Sequence, residues 1–207
     1  KKSNFLQNAS EEKIQLYQSG IDSLAVSGIY DGAIKEGMKA PNFSLFNAIG
    51  EQVELYSLLE KGPVVLTWYR GGWCPYCNIT LASLQEVLPD FEGFNATLVA
   101  LSPEIPDSTT STAEKLALEF EVLSDIDNKV ATEYGLKFTV QPEIMKAYNQ
   151  SFSLTDYNGN ANNELPIPAT YIIDQEGIVQ YAFLDADYRK RAEPKELVDV
   201  LRSMSLN

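Results

Sequence analysis

Residues 63–77, PVVLTWYRGGWCPYC, join a predicted strand, a turn and the start of a predicted helix. The first seven form a run of apolar residues of strand length, which is typical of a strand buried on both faces of a sheet. Gly71 and Gly72 then let the chain turn, and the residues after the second cysteine have apolar side chains at helical spacing. The sequence therefore predicts that Cys74 and Cys77 lie between a buried strand and a helix.

The spacing of these two cysteines has chemical consequences. At the start of a helix, a three-residue offset brings both sulfurs within bonding distance, with Cys77 one turn deeper than Cys74. Unpaired amide hydrogens and the helix dipole favour a thiolate at the helix N-terminus. This geometry predicts that Cys74 attacks a disulfide or a peroxide and that Cys77 closes an internal disulfide.

Three other interpretations of the pair are half of a zinc site, a static disulfide and two unrelated buried thiols. A structural zinc ion takes four Cys or His ligands, and the chain has two cysteines and no histidine. Among zinc sites, the only possibility left is one shared between two chains, with two cysteines from each. A static disulfide across so short a loop adds little stability. A redox-active dithiol is the favoured interpretation, and no metal or other cofactor is expected.

The composition narrows the function further. Without histidine the chain has no Ser-His-Asp triad, no His-assisted cysteine protease site and no His-ligated zinc or haem. Its 207 residues carry 16 Lys+Arg and 29 Asp+Glu, a formal charge of −13, so nucleic-acid binding is disfavoured. Apolar residues make up 44% of the chain, which fits about one large globular domain or two small ones.

No targeting or membrane signal is visible. The longest apolar run, residues 63–69, is far shorter than the roughly 18 residues of a membrane span. Residues 1–7 begin with two lysines but turn polar at once, unlike a secretory signal. We therefore expect a cytoplasmic protein with no membrane partner.

The pattern along the chain predicts a single α/β domain with a mixed sheet. Residues 8–26 favour an amphipathic helix, with Asn8 and Glu11 as a capping box. An N-terminal extension, residues 1–36, would pack on a domain of residues 37–207 that contains an insertion with one short helix near 137–165. The other predicted elements are extended stretches at 37–45 and 50–59, strands at 63–69 and 96–101, helices at 110–120 and 128–134, a hairpin of 170–174 with 178–183, and a helix over 194–201.

Several ordered motifs resemble known families. WCPYC at 73–77 resembles the dithiol of the thioredoxin fold, and CPYC is the sequence found in glutaredoxins. GMKAPNFSL at 37–45 resembles the opening motif of peroxiredoxins, and VLSD at 122–125 with NKVATEYGL at 128–136 resembles their corresponding later segment.

Residues 69–77, together with IPATYIID at 167–174, resemble the peroxiredoxin-like family of the alkyl hydroperoxide reductase/thiol-specific antioxidant (AhpC/TSA, redoxin) superfamily. The resemblance covers nearly the whole chain from about residue 37. It implies a thioredoxin-like fold, in which a central mixed sheet is flanked by helices, with an extra N-terminal helix.

The resemblance also assigns roles, and the sequence departs from the family pattern at the supporting positions. Peroxiredoxins place a Pro and then a Thr or Ser before the peroxidatic cysteine, and a distant Arg supports the thiolate. Matched by spacing, Cys77 takes the peroxidatic position, Cys74 replaces the Thr and Arg70 replaces the Pro. Pro168 stands where the Arg would be. None of the three supporting residues is therefore present at its matched position, and Arg70 is a hypothetical source of the missing cation.

The loop around Pro168 resembles a different feature, the cis proline that faces the dithiol in thioredoxin-like proteins. By that resemblance Pro168 is cis, and it contributes with Trp73 and Thr170 to substrate binding. The alternative is an ordinary trans proline before a strand.

Two functions follow from the resemblance. The first is a thiol-dependent peroxidase that reduces hydrogen peroxide or organic hydroperoxides through a Cys74/Cys77 dithiol-disulfide cycle, with thioredoxin, glutaredoxin or glutathione as electron donor. The alternative is a general thiol-disulfide oxidoreductase that acts on protein or small-molecule disulfides. A redox-controlled binding protein is least favoured. Relatives often pair through sheet edges, so a homodimer is consistent with either function.

Overall fold

The computed structural model describes residues 10–47 and 49–206. In chain order the elements are α1 (Glu11–Ala25), α2 (Ile29–Gly32), β1 (Ser44–Phe46), β2 (Gln52–Glu54), α3 (Leu55–Leu59), β3 (Val64–Trp68), α4 (Pro75–Glu86), α5 (Leu88–Glu92), β4 (Thr97–Ser102), α6 (Pro106–Leu116), β5 (Glu121–Ser124), a 3₁₀ turn (Ile126–Asn128), α7 (Lys129–Glu133), β6 (Lys137–Thr139), α8 (Pro142–Asn149), α9 (Leu154–Asn158), β7 (Glu164–Pro166), β8 (Ala169–Ile173), β9 (Val179–Leu184) and α10 (Pro194–Met204).

A five-stranded mixed sheet forms the centre, in the order β5-β4-β3-β8-β9. Strands β3, β4 and β5 run parallel, and β8 and β9 are antiparallel to their neighbours. Parallel neighbours need long crossovers, which here contain helices, whereas β8 and β9 are joined by a short turn in which Gly177 has a φ of 81°. The predicted α/β domain with a mixed sheet is confirmed.

The side chains of the sheet alternate between two cores. All five residues of β3 are buried. Leu66 and Trp68 face a cluster that includes Tyr134, whereas Val65 faces a second cluster with Phe91. Successive residues of a strand point to opposite faces, so burial of every residue means that both faces are covered. This covered strand ends at Trp68, and a short loop connects it to the cysteines.

The first helix, α1, begins after Ser10, whose hydroxyl accepts a hydrogen bond from the amide of Lys13 at 3.3 Å. A side-chain oxygen at this position satisfies one of the unpaired amides of a helix start. The predicted capping residue Asn8 lies outside the described residues. In the part of the chain that the structure describes, no helix is long and apolar enough to span a membrane.

Helix α1 contacts the segment that was predicted to be an insertion. The rings of Tyr17 in α1 and Tyr148 in α8 have centroids 6.1 Å apart. These contacts do not test the predicted division of the chain into an extension of residues 1–36 and a domain of residues 37–207, which stays a prediction.

The predicted single helix in residues 137–165 is wrong. Two helices, α8 and α9, lie between β6 and β7, and these two strands pair antiparallel. Helix α9 begins after Ser153, whose hydroxyl accepts from the Asp156 amide at 3.3 Å, and it ends at Gly159, which has a φ of 69°. The pattern missed this helix because five residues are too few for a helical repeat of apolar residues.

The predicted extended stretch at 50–59 is partly wrong as well. It divides into β2 and α3, which begins at Leu55. Leu55 and Leu59 are both buried, and a spacing of four places them on one face of a helical turn.

Candidate active site

The two cysteines occupy the start of α4, which follows β3 after the loop of residues 69–74. Cys74 is the N-cap residue, and Pro75 is the first residue of the helix. Proline suits this position because its missing amide hydrogen has no partner in the first turn. Both cysteines are free thiols, and Cys74 is 2% exposed whereas Cys77 is fully buried.

The hydrogen bonds of the pair favour a thiolate on Cys77. Its sulfur accepts from the Arg70 amide at 3.5 Å and from Arg191 Nη2 at 3.4 Å. Burial opposes ionisation, but the hydrogen bond from Cys74 and the charges of Arg191 and Arg70 outweigh it and lower the pKa of Cys77. The bond that Cys74 donates to Cys77, together with burial, raises the pKa of Cys74 well above its usual value. Cys77 is therefore the more acidic thiol.

This assignment corrects the expectation from the helix start, which placed the thiolate on Cys74. As N-cap residue, Cys74 has no side-chain capping hydrogen bond to the helix amides. The Cys77 sulfur instead accepts hydrogen bonds from the Arg70 amide, from the Arg191 side chain and from Cys74. The acidic sulfur is the one that the spacing match to peroxiredoxins placed in the peroxidatic position.

Arg70 is buried in a cage of aromatic rings. It is only 4% exposed, and its guanidinium carbon lies 4.3 Å, 4.9 Å and 5.8 Å from the ring centroids of Tyr188, Trp73 and Tyr148. Its Nη2 donates to the Tyr148 hydroxyl. Aromatic faces attract a cation, so the cage holds a positive charge beside the dithiol. The structure places Arg70 near both cysteines, and its support of a thiolate stays a prediction.

Arg191 was not predicted from the sequence. It lies in the loop before α10, and its Nη1 donates to the carbonyls of Tyr188 and Lys190. These bonds hold the guanidinium while Nη2 reaches Cys77. In peroxiredoxins a distant Arg supports the thiolate, and the spacing match placed Pro168 at that position. Arg191 supplies a cation beside Cys77 from a different position in the chain. A basic run at residues 189–191 in an acidic chain is the single sequence signal for it.

A buried carboxyl group near the dithiol was also missed. Glu104 lies just after β4, and its Oε1 accepts a hydrogen bond from the Gly72 amide at 3.0 Å. It is fully buried, and burial raises the pKa of Glu104 to about 7. In a chain without histidine, Glu104 is a group near Cys77 that titrates around neutral pH.

The prediction that Pro168 is cis is wrong. No peptide bond is cis among residues 10–47 and 49–206, so the Ile167–Pro168 bond is trans. The Ile167 amide donates to the Leu136 carbonyl at 2.8 Å, which continues the β6–β7 pairing up to the start of β8. Trans is also the favoured form of an X–Pro bond, and Pro168 lies between β7 and β8. Pro168 lines a cavity that Arg70 also lines.

Trp73 and Thr170 differ in their placement. The Trp73 ring stacks on Phe152 at 4.5 Å between centroids and contacts the Arg70 guanidinium. Thr170 lies in β8, and its hydroxyl oxygen is 3.0 Å from that of Thr67 in β3. Trp73 therefore lies in the site beside Arg70, whereas the Thr170 hydroxyl is within hydrogen-bond distance of a neighbouring strand of the sheet. Substrate binding by either residue stays a prediction.

Residues 37–182 match the sequence profile of the AhpC/TSA family, over more than half of the chain. The chain belongs to the AhpC/TSA family. The family segment contains the dithiol and Arg70, but α1 precedes it and Arg191 follows it. The peroxiredoxin-like resemblance of the sequence is thereby confirmed.

Curated relatives within this family carry peroxiredoxin names. The chloroplastic peroxiredoxin Q of Triticum aestivum is 29% identical over 159 residues, which are 77% of this chain and 63% of that protein. The chain thus spans less than two thirds of the length of that relative. A putative peroxiredoxin bcp of Helicobacter pylori is 28% identical over 160 residues, 77% of this chain and 94% of that protein.

Solved structures show the same fold. The peroxidoxin BcpB of Mycobacterium tuberculosis superposes with a TM-score of 0.67 at 22% identity, over 83% of this chain and 98% of that one. A putative protein disulfide isomerase of Bacteroides thetaiotaomicron has a TM-score of 0.60 at 18% identity, over 84% and 92% of the two chains. The predicted thioredoxin-like fold with an additional N-terminal helix is confirmed.

Proposed function

We propose that the protein is a thiol-dependent peroxidase that reduces hydrogen peroxide or an organic hydroperoxide, with Cys77 as the attacking sulfur. The observation that carries the proposal is the pair of arginines on Cys77, since Arg191 and the Arg70 amide both donate to its sulfur. A thiolate is the reactive form of cysteine, and peroxiredoxin names among family relatives support the same reaction.

The first step breaks the O–O bond. The Cys77 thiolate attacks one peroxide oxygen, and the other oxygen leaves as water or an alcohol after it takes up a proton. Cys77 then carries a sulfenic acid. Arg70 and Arg191 stabilise the thiolate beforehand and place positive charge where the leaving oxygen becomes negative.

The second step uses Cys74. Its thiol attacks the Cys77 sulfenic acid, the S–S bond forms and water leaves. An external thioredoxin, glutaredoxin or glutathione then reduces the disulfide by thiol exchange. Cys74 is the natural resolving group because it already donates a hydrogen bond to Cys77 and keeps its own proton. A homodimer and a cytoplasmic location are proposals that this mechanism does not require.

The burial of Cys77 favours peroxidase chemistry over disulfide reduction. A protein disulfide must bring a bulky partner to the attacking sulfur, and Cys77 is fully buried. A peroxide is far smaller, so a modest opening suffices. In the general oxidoreductase alternative, Cys74 would have to attack, although its pKa is raised.

Stopped-flow oxidation of the reduced protein by hydrogen peroxide tests the proposal, with Cys74→Ser and Cys77→Ser as matched variants. We expect Cys74→Ser to react and to accumulate a stable sulfenic acid on Cys77, detected by mass spectrometry after dimedone labelling. Cys77→Ser should consume peroxide no faster than free cysteine. If neither the wild type nor Cys74→Ser outpaces free cysteine while the wild type reduces insulin disulfides, the protein is an oxidoreductase of the alternative kind.

A further inference from the structure

A cavity of about 440 Å³ lies beside the aromatic cage of Arg70. Its walls come from three parts of the chain: α1 with Ile21 and Leu24, the β6–α8 segment with Phe138 and Ile144, and the site itself with Arg70. Cavities that hold small molecules measure roughly 300–1,000 Å³ and are mostly apolar with a few polar groups. This cavity has that size and that composition.

The α1 wall is an addition to the family segment, which begins at residue 37. Helix α1 approaches α8 closely at Gly20, where an added Cβ would lie 2.3 Å from Ile144 Cδ1. The absence of a side chain at Gly20 thus lets the two helices meet at one side of the cavity. Ile21 and Leu24 lie within one turn of this contact and contribute apolar surface.

Among the described residues, Arg70 contributes a buried cation that is not paired with a carboxylate. Within residues 10–47 and 49–206, no carboxylate lies within 4.0 Å of its guanidinium, and its Nε has no hydrogen-bond acceptor. Lys137 also lines the cavity, but its ammonium is already paired with Glu164 at 3.2 Å. Arg70 is therefore the better anchor for an anion.

We propose that this cavity binds an amphipathic carboxylate, with its apolar chain between α1 and α8 and its carboxylate on Arg70. A carboxylate accepts two parallel hydrogen bonds from a guanidinium. A neutral apolar molecule would leave the Arg70 charge without a carboxylate, and a small anion would leave Ile21 and Leu24 uncovered. An apolar chain with one terminal carboxylate matches both features.

The site has a consequence for the dithiol. The groups whose charge or hydrogen bonds act on Cys77 include Cys74, Arg191, Arg70 and Glu104. A carboxylate on Arg70 offsets one of the two cations, whereas Arg191 and the Arg70 amide stay in place. Ligand binding should therefore make Cys77 less acidic and slow its reaction with peroxide without abolishing it.

Isothermal titration calorimetry of the reduced protein with octanoate, octanol and acetate tests the binding site. We expect octanoate to bind with one ligand per chain, octanol to bind about tenfold more weakly, because it lacks the charge-assisted pair, and acetate to show no saturation. Equal affinity for octanoate and octanol, or no binding of octanoate, would overturn the proposal.

Four variants locate the ligand. Leu24→Trp fills the α1 wall and should abolish octanoate binding, whereas Val26→Trp, on a residue that is 86% exposed at the end of α1, should leave it unchanged. Arg70→Gln should remove the preference for octanoate over octanol, and Lys137→Gln should keep it. Unchanged binding in Leu24→Trp, or a preference lost with Lys137 rather than Arg70, contradicts the proposed placement.

Titration of the Cys77 thiolate by its absorbance at 240 nm, in Cys74→Ser protein, measures the coupling. Saturating octanoate should raise the titration midpoint, and the same concentration should not do so in a Leu24→Trp background. An unchanged midpoint at saturation would refute the coupling. Calorimetry involves no peroxide, so the two proposals can fail separately. If the protein binds octanoate but does not reduce peroxide, the proposed function is wrong and the proposed binding site stands.

Discussion

Arg70 and Arg191 act on the same sulfur from two different regions of the chain. Arg70 lies in the loop between β3 and α4, inside the family segment, and its amide donates to Cys77 whatever its side chain does. Arg191 lies beyond that segment, 114 residues from Cys77, and acts only through its side chain. One donor thus comes from the backbone that carries the dithiol, and the other depends on how the C-terminal region packs.

Removal of both guanidinium groups should have the largest effect. In Arg70→Gln/Arg191→Gln we expect the pKa of Cys77, measured as its titration midpoint, to rise from about 5 by almost two units, the combined effect of two nearby opposite charges, and the leaving oxygen to lose both cations in the transition state. The peroxide rate at pH 7 should fall at least tenfold. Absorbance at 240 nm and stopped-flow kinetics measure the two quantities.

The control for the double variant is Arg202→Gln, which removes an exposed arginine paired with Asp199. It should change neither the midpoint nor the rate. A double variant that still titrates like the wild type would show that neither arginine sets the acidity of Cys77.

The single variants sharpen the contrast between the two regions. Arg191→Gln should raise the Cys77 midpoint by about one unit, the usual size of the effect of one nearby opposite charge. Arg70→Gln should raise it less, because the backbone amide of residue 70 still donates to the sulfur. Arg191→Lys should recover part of the loss. If the Cys77 midpoint shifts more in Arg70→Gln than in Arg191→Gln, the proposal that the Arg191 side chain contributes more to the acidity of Cys77 is wrong.

Among these groups, Glu104 should have the smallest effect on the Cys77 titration midpoint. It should have a measurable effect on the free energy of unfolding. Because burial raises the pKa of Glu104 to about 7, the folded protein holds this proton more tightly than the unfolded chain does. Its contribution to stability is therefore complete below the unfolded pKa of about 4.3 and is lost as the pH rises through about 7.

Urea unfolding at pH 5 and pH 8 measures this dependence, in a Cys77→Ser background that removes the thiol titration. We expect Glu104→Gln to lose less stability between these pH values than its parent. Gln keeps the shape of the side chain and an oxygen for the Gly72 amide. Parallel stability changes in the two proteins would mean that Glu104 is not the titrating group.

Local features were predictable because they depend on neighbours in the sequence. The apolar run before Arg70 indicated a strand buried on both faces, and Pro75 fitted a helix start. One helix was predicted in residues 137–165, and the second was missed because it has only five residues, with Ser153 and Gly159 marking its ends. The Ile167–Pro168 bond is trans, which is the favoured form of an X–Pro bond, so the loop motif alone was not enough to predict a cis bond.

The amino-acid sequence by itself determined that one dithiol lies between a buried strand and a helix, and that no histidine is available to accept its proton. Which sulfur is acidic was decided by the tertiary structure. The helix start favoured Cys74, but Arg191 and the aromatic cage around Arg70 favour Cys77. The physical reason is that charge interactions depend on distance in space, and the groups that act on Cys77 are up to 114 residues away along the chain.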